Sequence, residues 1–426
     1  MQYSEMTKEA LASEYESLKA AHAALAAAGH KLDLSRGKPA ADQLDLSDAL
    51  LEEPIAKADC LLDGGLDARN YGVPLGLPEM RAFWSTLTGI PAEQIYVGGN
   101  SSLALMYETI VRGMLFGMAD SPRPWAEEKK RKFLCPAPGY DRHFAITETL
   151  GFELIPVGMR LDGPDMDEVE RLAADPDVKG IWCVPKYSNP TGITFSDDVV
   201  YRFASMKTAA PDFTVMWDNA YLVHDLDEEG DRLADVFAYA RECGPEERFC
   251  YFSSTSKITL PGAGVAMFAA GPRNFAKHTK MMGIATIGFD KLNQLRHLKM
   301  LPDPAAVSRQ MSRHAAIIRE KFDILENVLS RDLGGLGCAT WTHPKGGYFV
   351  SLDLLDGCAK RTYALAKEAG VTLTQVGATF PYGIDPRDRN LRLAPTYPTK
   401  GDLLLAAEVL TVSVRLATIE KLMGKI

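Results

Sequence analysis

The chain has 426 residues, of which 46% are hydrophobic and 24% are charged, and its formal net charge is −9. This is an ordinary globular composition, and at this length we expect two domains, one large and one smaller. An acidic chain without a basic block has no electrostatic reason to bind nucleic acid or an anionic membrane, so neither is expected as a partner.

The cysteine and histidine patterns argue against disulfides and metals. The seven cysteines are scattered and form no Cys-x-x-Cys pair, which indicates reduced thiols in a cytoplasmic protein. None of the eight histidines belongs to a His-Glu-x-x-His arrangement, so we expect no metal site. The sequence shows no signal pattern at its start and no run of roughly 18 apolar residues, which predicts a soluble cytoplasmic protein.

The first elements are a helix, a short extended segment and a loop. Ala, Leu, Glu and Lys dominate from Thr7 to about Ala28, which predicts a helix that ends at Gly29. The extended segment 32–35 and a Gly- and Pro-containing loop over 36–39 follow.

The middle of the chain alternates short apolar runs with helix-compatible segments such as 197–209. The runs predict buried strands at 132–135, 151–157, 180–184, 213–217 and 249–252. This alternation predicts an α/β domain around a mainly parallel sheet.

The pattern changes after about Pro302, where a smaller α+β domain is predicted. Its expected elements are a long helix over 304–329, the segment 346–352, a helix over 362–369, a strand over 390–393 and a closing helix from Lys400. We expect the N-terminal segment to pack with these elements. The predicted large domain is therefore 50–302, and the small domain combines 1–49 with 303–426.

Three of the predicted strands are followed by polar residues, at the sheet edge where open α/β sheets bind ligands. Asn189 lies in an Asn-Pro-Thr-Gly segment, which is either a turn or the source of an amide in a site. Asp218 is either a solvated strand end or a carboxylate that pairs with a protonated ring nitrogen, in which case Tyr221 could donate a hydrogen bond to the same ligand. Lys257 ends the run Ser-Ser-Thr-Ser-Lys. It is either a solvated lysine or an imine-forming amine beside hydroxyls that suit a phosphate.

Together these segments resemble the fold-type I (class I/II) aminotransferases, which use pyridoxal 5′-phosphate (PLP). Asn189, Asp218, Tyr221 and Lys257 occur in the family's order and spacing, and the resemblance covers nearly the whole chain. The stretch Lys-Ile-Thr-Leu-Pro-Gly-Ala-Gly is similar to a bacterial subgroup of aspartate aminotransferases related to the aminotransferase domains of MocR-type regulators. The fold implied is α/β, with a mainly parallel seven-stranded-type sheet in a large PLP-binding domain.

The resemblance implies roles for the matching residues. Lys257 would hold PLP as an imine, Asp218 would keep the pyridine nitrogen protonated, and Tyr221 and Asn189 would hydrogen-bond the phenolic oxygen. The remaining cofactor contacts implied are a stacking ring, phosphate-binding hydroxyls and a tyrosine that reaches the neighbouring subunit: Tyr140, Ser101, Ser102, Ser254 and Tyr71. This last contact implies a homodimer with shared active sites.

The resemblance also implies the substrate contacts. Arg392 would bind the α-carboxylate beside Asn189 and Gly37, in a geometry that favours proton transfer over decarboxylation. The donor and acceptor implied are L-aspartate and 2-oxoglutarate, whose second carboxylate needs another cation. Arg36 and Lys38 are the candidates, and a basic pair on a solvated loop is the alternative.

One departure from the family concerns the phosphate. The family usually has an arginine shortly after the Pro-Gly that follows the lysine, whereas residues 261–265 read Pro-Gly-Ala-Gly-Val. Because a phosphate needs neutralising, we name Lys291 as the candidate replacement, from either subunit.

Two alternatives stay open. An alanine–glyoxylate-type transaminase or a PLP-dependent lyase would share the fold. An amino-acid sensor of the regulator type belongs to another class and would carry a basic DNA-binding extension, which an acidic chain that begins its fold early does not favour.

Overall fold

The computed structural model describes residues 2–426. The strands are β1 Leu32–Asp33, β2 Leu61–Leu62, β3 Leu66–Asp67, β4 Ile95–Val97, β5 Lys132–Ala137, β6 Glu153–Arg160, β7 Gly163–Pro164, β8 Val178–Cys183, β9 Thr214–Asp218, β10 Phe249–Ser254, β11 Ala266–Ala270, β12 Ala339–Trp341, β13 Val350–Leu354, β14 Val371–Thr372 and β15 Asn390–Leu393. The helices are α1 Lys8–Ala27, α2 Ala41–Leu44, α3 Ala49–Glu52, α4 Pro78–Thr88, α5 Ser102–Phe116, α6 Asp141–Thr149, α7 Met166–Ala173, α8 Asp197–Ser205, α9 Val236–Cys243, α10 Pro272–Ala285, α11 Lys291–Met300, α12 Pro304–Leu333, α13 Ala359–Glu368 and α14 Lys400–Leu422.

The largest sheet has eight strands in the order β4-β11-β10-β9-β8-β5-β6-β7. Neighbours from β10 to β6 are parallel, and β11 is antiparallel to both strands beside it. The predicted α/β fold with a mainly parallel seven-stranded-type sheet is confirmed, and the two-residue β7 adds an antiparallel edge strand.

Helices cover both faces of this sheet, so its central strands are buried throughout. Val215 and Trp217 of β9 belong to one hydrophobic cluster, which includes residues of α4, α8 and α9, whereas Met216 belongs to a second cluster with residues of α5 and α10. Burial on both faces explains why these strands are continuous apolar runs in the sequence.

The five strands predicted from apolar runs lie where expected, with ends displaced by no more than three residues. The sequence analysis did not identify β4 or β11. Strand β4 has only three residues, and β11 reads Ala-Met-Phe-Ala-Ala, so alanine weakens its strand signal.

The helix bounds follow local capping chemistry. The Thr7 side chain accepts a hydrogen bond from the backbone of Ala10 at 3.2 Å, and Gly29 follows α1 with a φ of +67°. Asp303 caps α12 in the same way, at 2.7 Å from the Ala306 nitrogen, and Pro304 occupies its first turn.

The C-terminal elements form a second layer around the antiparallel sheet β12-β13-β15. The N-terminal β1 pairs in parallel with β14, and Leu11 and Leu18 of α1 share a hydrophobic cluster with residues of α12, α13 and α14. The N-terminal and C-terminal segments therefore pack against each other in this layer. The domain bounds at residues 50 and 302 stay a prediction.

All seven cysteines are free thiols. Within residues 2–426 no three metal-ligating side chains cluster, and no helix has both the length and the apolar character that crossing a membrane requires.

Candidate active site

A cavity of about 280 Å³ lies at the carboxyl ends of β8, β9 and β10 and reaches β15 of the second layer. The topology puts it there because parallel strands end at one edge of the sheet. Among its lining residues are eight that the sequence analysis singled out: Lys257, Asp218, Tyr221, Asn189, Tyr140, Ser102, Arg392 and Gly37.

The last residue of β9, Asp218, is buried, and only one of its two carboxylate oxygens has a hydrogen-bond partner within residues 2–426. Its Oδ2 atom lies 3.0 Å from Nε2 of His143, whose ring stacks on Trp182 with a centroid distance of 4.4 Å. Its Oδ1 atom has no hydrogen-bond partner within residues 2–426. Sequence reasoning missed His143. The signal was its spacing, because a histidine three residues after Tyr140 lies on the same side of the first turn of α6.

Lys257 ends a short turn that follows β10, and aromatic rings surround its amine. Nζ lies 4.9 Å from the ring centroid of Tyr221 and 5.9 Å from that of Tyr348. Burial lowers the pKa of Lys257, and the charge of Asp218 opposes part of this shift. The site therefore favours the neutral, nucleophilic amine more than water does.

Two tyrosines of the cavity are held in the protonated form. Burial raises the pKa of Tyr140 to about 12, with the charge of Asp218 adding to the effect. Burial also raises the pKa of Tyr221 well above its ordinary value. Both hydroxyls can therefore donate hydrogen bonds at neutral pH.

Arg392 projects from β15 with a side chain that is only 10% exposed. Its Nη1 atom lies 3.2 Å from Asp141 Oδ1 and 3.3 Å from Asn189 Oδ1, and its Nε atom donates to Thr374 at 3.3 Å. The guanidinium also lies 5.0 Å from the ring centroid of Phe349. Sequence reasoning did not single out Asp141, which follows Tyr140 directly.

The region predicted to hold a phosphate combines hydroxyls with a helix N-terminus. Ser101 caps α5 by accepting a hydrogen bond from the backbone of Ala104 at 3.2 Å, and Ser102 begins that helix and lines the cavity. The Ser254 hydroxyl lies 2.9 Å from that of Ser256, which donates to the carbonyl of Asn100 at 3.3 Å. Such a helix terminus with adjacent hydroxyls suits an anion.

Six predicted site residues do not line this cavity, and two of them, Ser101 and Ser254, belong to the predicted phosphate region. The other four lie elsewhere. Tyr71 is 82% exposed on the surface, and Lys291 is buried with its Nζ atom 3.1 Å from the carbonyl oxygen of Gly72. Arg36 pairs with Asp33 at 2.9 Å, and Lys38 lies over the ring of Tyr397 at 4.3 Å. The roles suggested for all the predicted site residues stay predictions.

Known proteins are similar to this chain over nearly its whole length. The family model for the aspartate amino-transferases matches residues 6–426. The chain belongs to this family. The predicted resemblance to the aspartate aminotransferase group of fold-type I enzymes is thereby confirmed.

Individual members of the family match over most of their length. An aspartate aminotransferase of Corynebacterium glutamicum is 47% identical over 390 residues, which are 92% of this chain and 90% of the relative. The crystal structure of an aspartate transaminase from that organism superposes with a TM-score of 0.96 and 44% identity, covering 99% of both chains. A 2-aminoadipate transaminase of Thermus thermophilus is 27% identical over 329 residues, 77% of each chain.

Proposed function

We propose that this aminotransferase moves the amino group of L-aspartate to 2-oxoglutarate with PLP bound to Lys257. The observation that carries the proposal is that Lys257, Asp218 and Arg392 line one cavity. One carboxylate oxygen of Asp218 has no hydrogen-bond partner within residues 2–426. The relatives named as aspartate aminotransferases at 47% and 44% identity support the choice of donor.

The residues of the cavity fit PLP. Asp218 Oδ1 is a buried acceptor without a partner in the described chain, which suits a protonated ring nitrogen. Lys257 provides an amine of lowered pKa, and the N-terminus of α5 with its serines suits the phosphate. The phosphate still lacks the usual arginine, and Lys291 stays our candidate for that charge.

When bound, PLP supplies an electron-accepting ring that stabilises negative charge on the substrate α-carbon. Lys257 would hold the cofactor and would accept the proton from the substrate α-carbon. His143 donates to Asp218 and fixes the orientation of its carboxylate. Tyr221 and Asn189 would hydrogen-bond the phenolic oxygen of the cofactor.

Arg392 decides which substrate bond lies in the reactive orientation. A planar guanidinium binds a carboxylate through two parallel hydrogen bonds, so it fixes the plane of the α-carboxylate. The α-hydrogen would then face Lys257, which would favour proton transfer over decarboxylation. This is the reason for proposing a transaminase rather than a decarboxylase.

The assembly and location are part of the same proposal. A homodimer with shared sites is supported by Tyr71, a large ring left 82% exposed. A cytoplasmic location is supported by the seven free thiols.

A donor screen on the purified protein with PLP tests the function. With 2-oxoglutarate as acceptor, we expect aspartate to give glutamate faster than alanine does, and Lys257→Ala to abolish turnover. Release of ammonia and pyruvate without transfer would identify a lyase, and a preference for alanine with glyoxylate would identify the other transaminase type. Absence of turnover together with tight amino-acid binding would favour the sensor.

A covalent test runs beside the screen. Borohydride treatment of the PLP-loaded protein should modify the peptide that contains Lys257, and Lys257→Arg should lose this modification. Modification of a different lysine would contradict the assignment.

A further inference from the structure

The turn that carries Lys257 is short and depends on its surroundings. Residues Thr255–Lys257 form one 3-10 turn, in which the backbone nitrogen of Ile258 donates to the carbonyl of Thr255 at 2.9 Å. A single turn fixes several backbone angles for few hydrogen bonds, so contacts outside it must set its conformation. Thr255 makes two of these contacts with Val265. Its backbone nitrogen donates to the Val265 carbonyl at 3.0 Å, and its hydroxyl accepts from the Val265 nitrogen at 2.9 Å.

The side chain of His297, on α11, contacts the same turn. Its Nε2 atom lies 3.1 Å from the hydroxyl of Thr255 and 2.9 Å from the hydroxyl of Thr259. All three residues are fully buried. Because buried hydroxyls need hydrogen-bond partners, the two threonines depend on this ring.

The hydrogen bonds of the ring determine which nitrogen carries the proton. Nδ1 of His297 lies 2.9 Å from the backbone carbonyl oxygen of Asn293, which can only accept, so Nδ1 is the protonated nitrogen. Burial lowers the pKa of His297, against the smaller opposing effect of this backbone hydrogen bond, and keeps the ring neutral at neutral pH. Nε2 is therefore an acceptor. The Thr255 hydroxyl can then donate to His297 while it accepts from Val265.

Helix α12 holds the residue after Lys257 independently of His297. The carbonyl oxygen of Ile258 lies 3.0 Å from Nε2 of His314 and 3.1 Å from Nε2 of Gln310. The loop would therefore stay attached to α12 if its contact with α11 were removed. Loss of the acceptor on His297 is expected to shift the turn rather than to detach it.

We propose that His297 is a positioning residue for Lys257. Its Nε2 atom orients the Thr255 hydroxyl, which sets the turn, and the turn sets the position of the amine in the cavity. His297 does not line the cavity, so it acts through the turn rather than on the cofactor or the substrate. The inference rests on the proposed function, in which Lys257 binds PLP, and adds a residue from outside the motif that contains Lys257.

The test compares His297→Leu and His297→Gln with the wild-type protein. Glutamine can place its amide oxygen near the position of Nε2 and so keep an acceptor, whereas leucine fills a similar volume without one. In absorbance titrations of the cofactor-free protein, we expect His297→Leu to weaken PLP binding by about tenfold. His297→Gln should stay within about threefold of the wild type, because the acceptor is restored.

Steady-state kinetics at saturating PLP separate positioning from substrate binding. With the best amino donor of the screen, His297→Leu should lower kcat by about tenfold, because a small displacement of the amine slows proton transfer. KM for the donor should stay within about threefold, because Arg392 is unchanged. The matched control is His278→Leu, which removes another buried histidine, on α10, and should leave PLP affinity and kcat within about twofold of the wild type.

Thr255→Val provides a second, independent variant, since it removes the hydroxyl and keeps the shape of the side chain. It should weaken PLP binding as His297→Leu does. The double variant should lose little more than either single variant, because both changes remove the same hydrogen bond.

The outcomes distinguish this inference from the proposed function. Unchanged PLP affinity and kcat in His297→Leu would overturn the role of His297 and leave the proposed function standing, and so would equal losses in His297→Leu and His297→Gln. If His297→Leu does not fold, Thr255→Val decides, and unchanged PLP affinity and kcat in that variant would overturn the role. A wild-type protein that attaches PLP to another lysine would refute the proposed function and this inference together.

Discussion

Asp141 occupies one hydrogen-bonding position of Arg392, the arginine that we expect to bind the substrate α-carboxylate. Its Oδ1 atom lies 3.2 Å from Arg392 Nη1, one of the nitrogen atoms that a carboxylate needs for two parallel hydrogen bonds. An incoming carboxylate must displace or share this contact. Asp141→Asn removes the competing charge, so we expect it to strengthen the binding of carboxylate ligands.

The size of the effect follows from the exposure of the pair. The Arg392 side chain is 10% exposed and that of Asp141 is 35% exposed, which places the pair between a surface ion pair and a buried one. Surface pairs contribute up to about 1 kcal/mol, whereas the desolvation of a buried pair offsets much or all of its attraction. Because released Asp141 regains some hydration, we expect about 1 kcal/mol, which is about fivefold in the dissociation constant.

Calorimetric titration of the PLP-bound enzyme with propionate and with succinate measures this gain. Both ligands should bind more tightly to Asp141→Asn, because both carry the carboxylate that Arg392 receives. The control is Asp167→Asn, which also removes an acid from the first turn of a helix and should leave both affinities unchanged. Weaker binding to Asp141→Asn would refute the reasoning, since it would mean that Asp141 orients Arg392 in the bound state.

Three further predictions concern the site and its support. Burial lowers the pKa of Lys257, so pyridoxal and borohydride should label this lysine ahead of exposed lysines in the cofactor-free protein. The labelling should be lost as the pH falls through the lowered pKa. Equal labelling of all lysines in peptide mass spectrometry would contradict this prediction. A Cβ on Gly37 would lie 2.0 Å from Phe349 Cζ, so Gly37→Ala should displace that ring and raise KM for the amino donor by about tenfold, and an unchanged KM would argue against a role for this contact. Buried Asp212 accepts a hydrogen bond from the indole of Trp125 at 2.8 Å. Asp212→Ala should therefore lower the free energy of unfolding by about 3 kcal/mol in denaturant titrations. A loss below about 1 kcal/mol would contradict this prediction and show that the groups around Asp212 rearrange to replace the lost contact.

Much of the local structure could be predicted from the sequence, because it depends on neighbouring residues. Helix α1 begins after the cap Thr7 and ends before Gly29, as predicted, and α12 begins at the predicted Pro304. The buried central strands are recognisable as apolar runs because both faces of the sheet are covered. The order of Asn189 and the other motif residues was sufficient to predict the family.

The tertiary structure decided which charges meet in the site. Asp218 and His143 are 75 residues apart in the chain, and Arg392 and Asp141 are 251 apart. No sequence pattern states that Lys257, which follows the large sheet, and Arg392 of the second layer line one cavity. The physical reason is that hydrophobic periodicity and capping act over a few residues, whereas ion pairing and burial depend on which distant segments the sheet brings together.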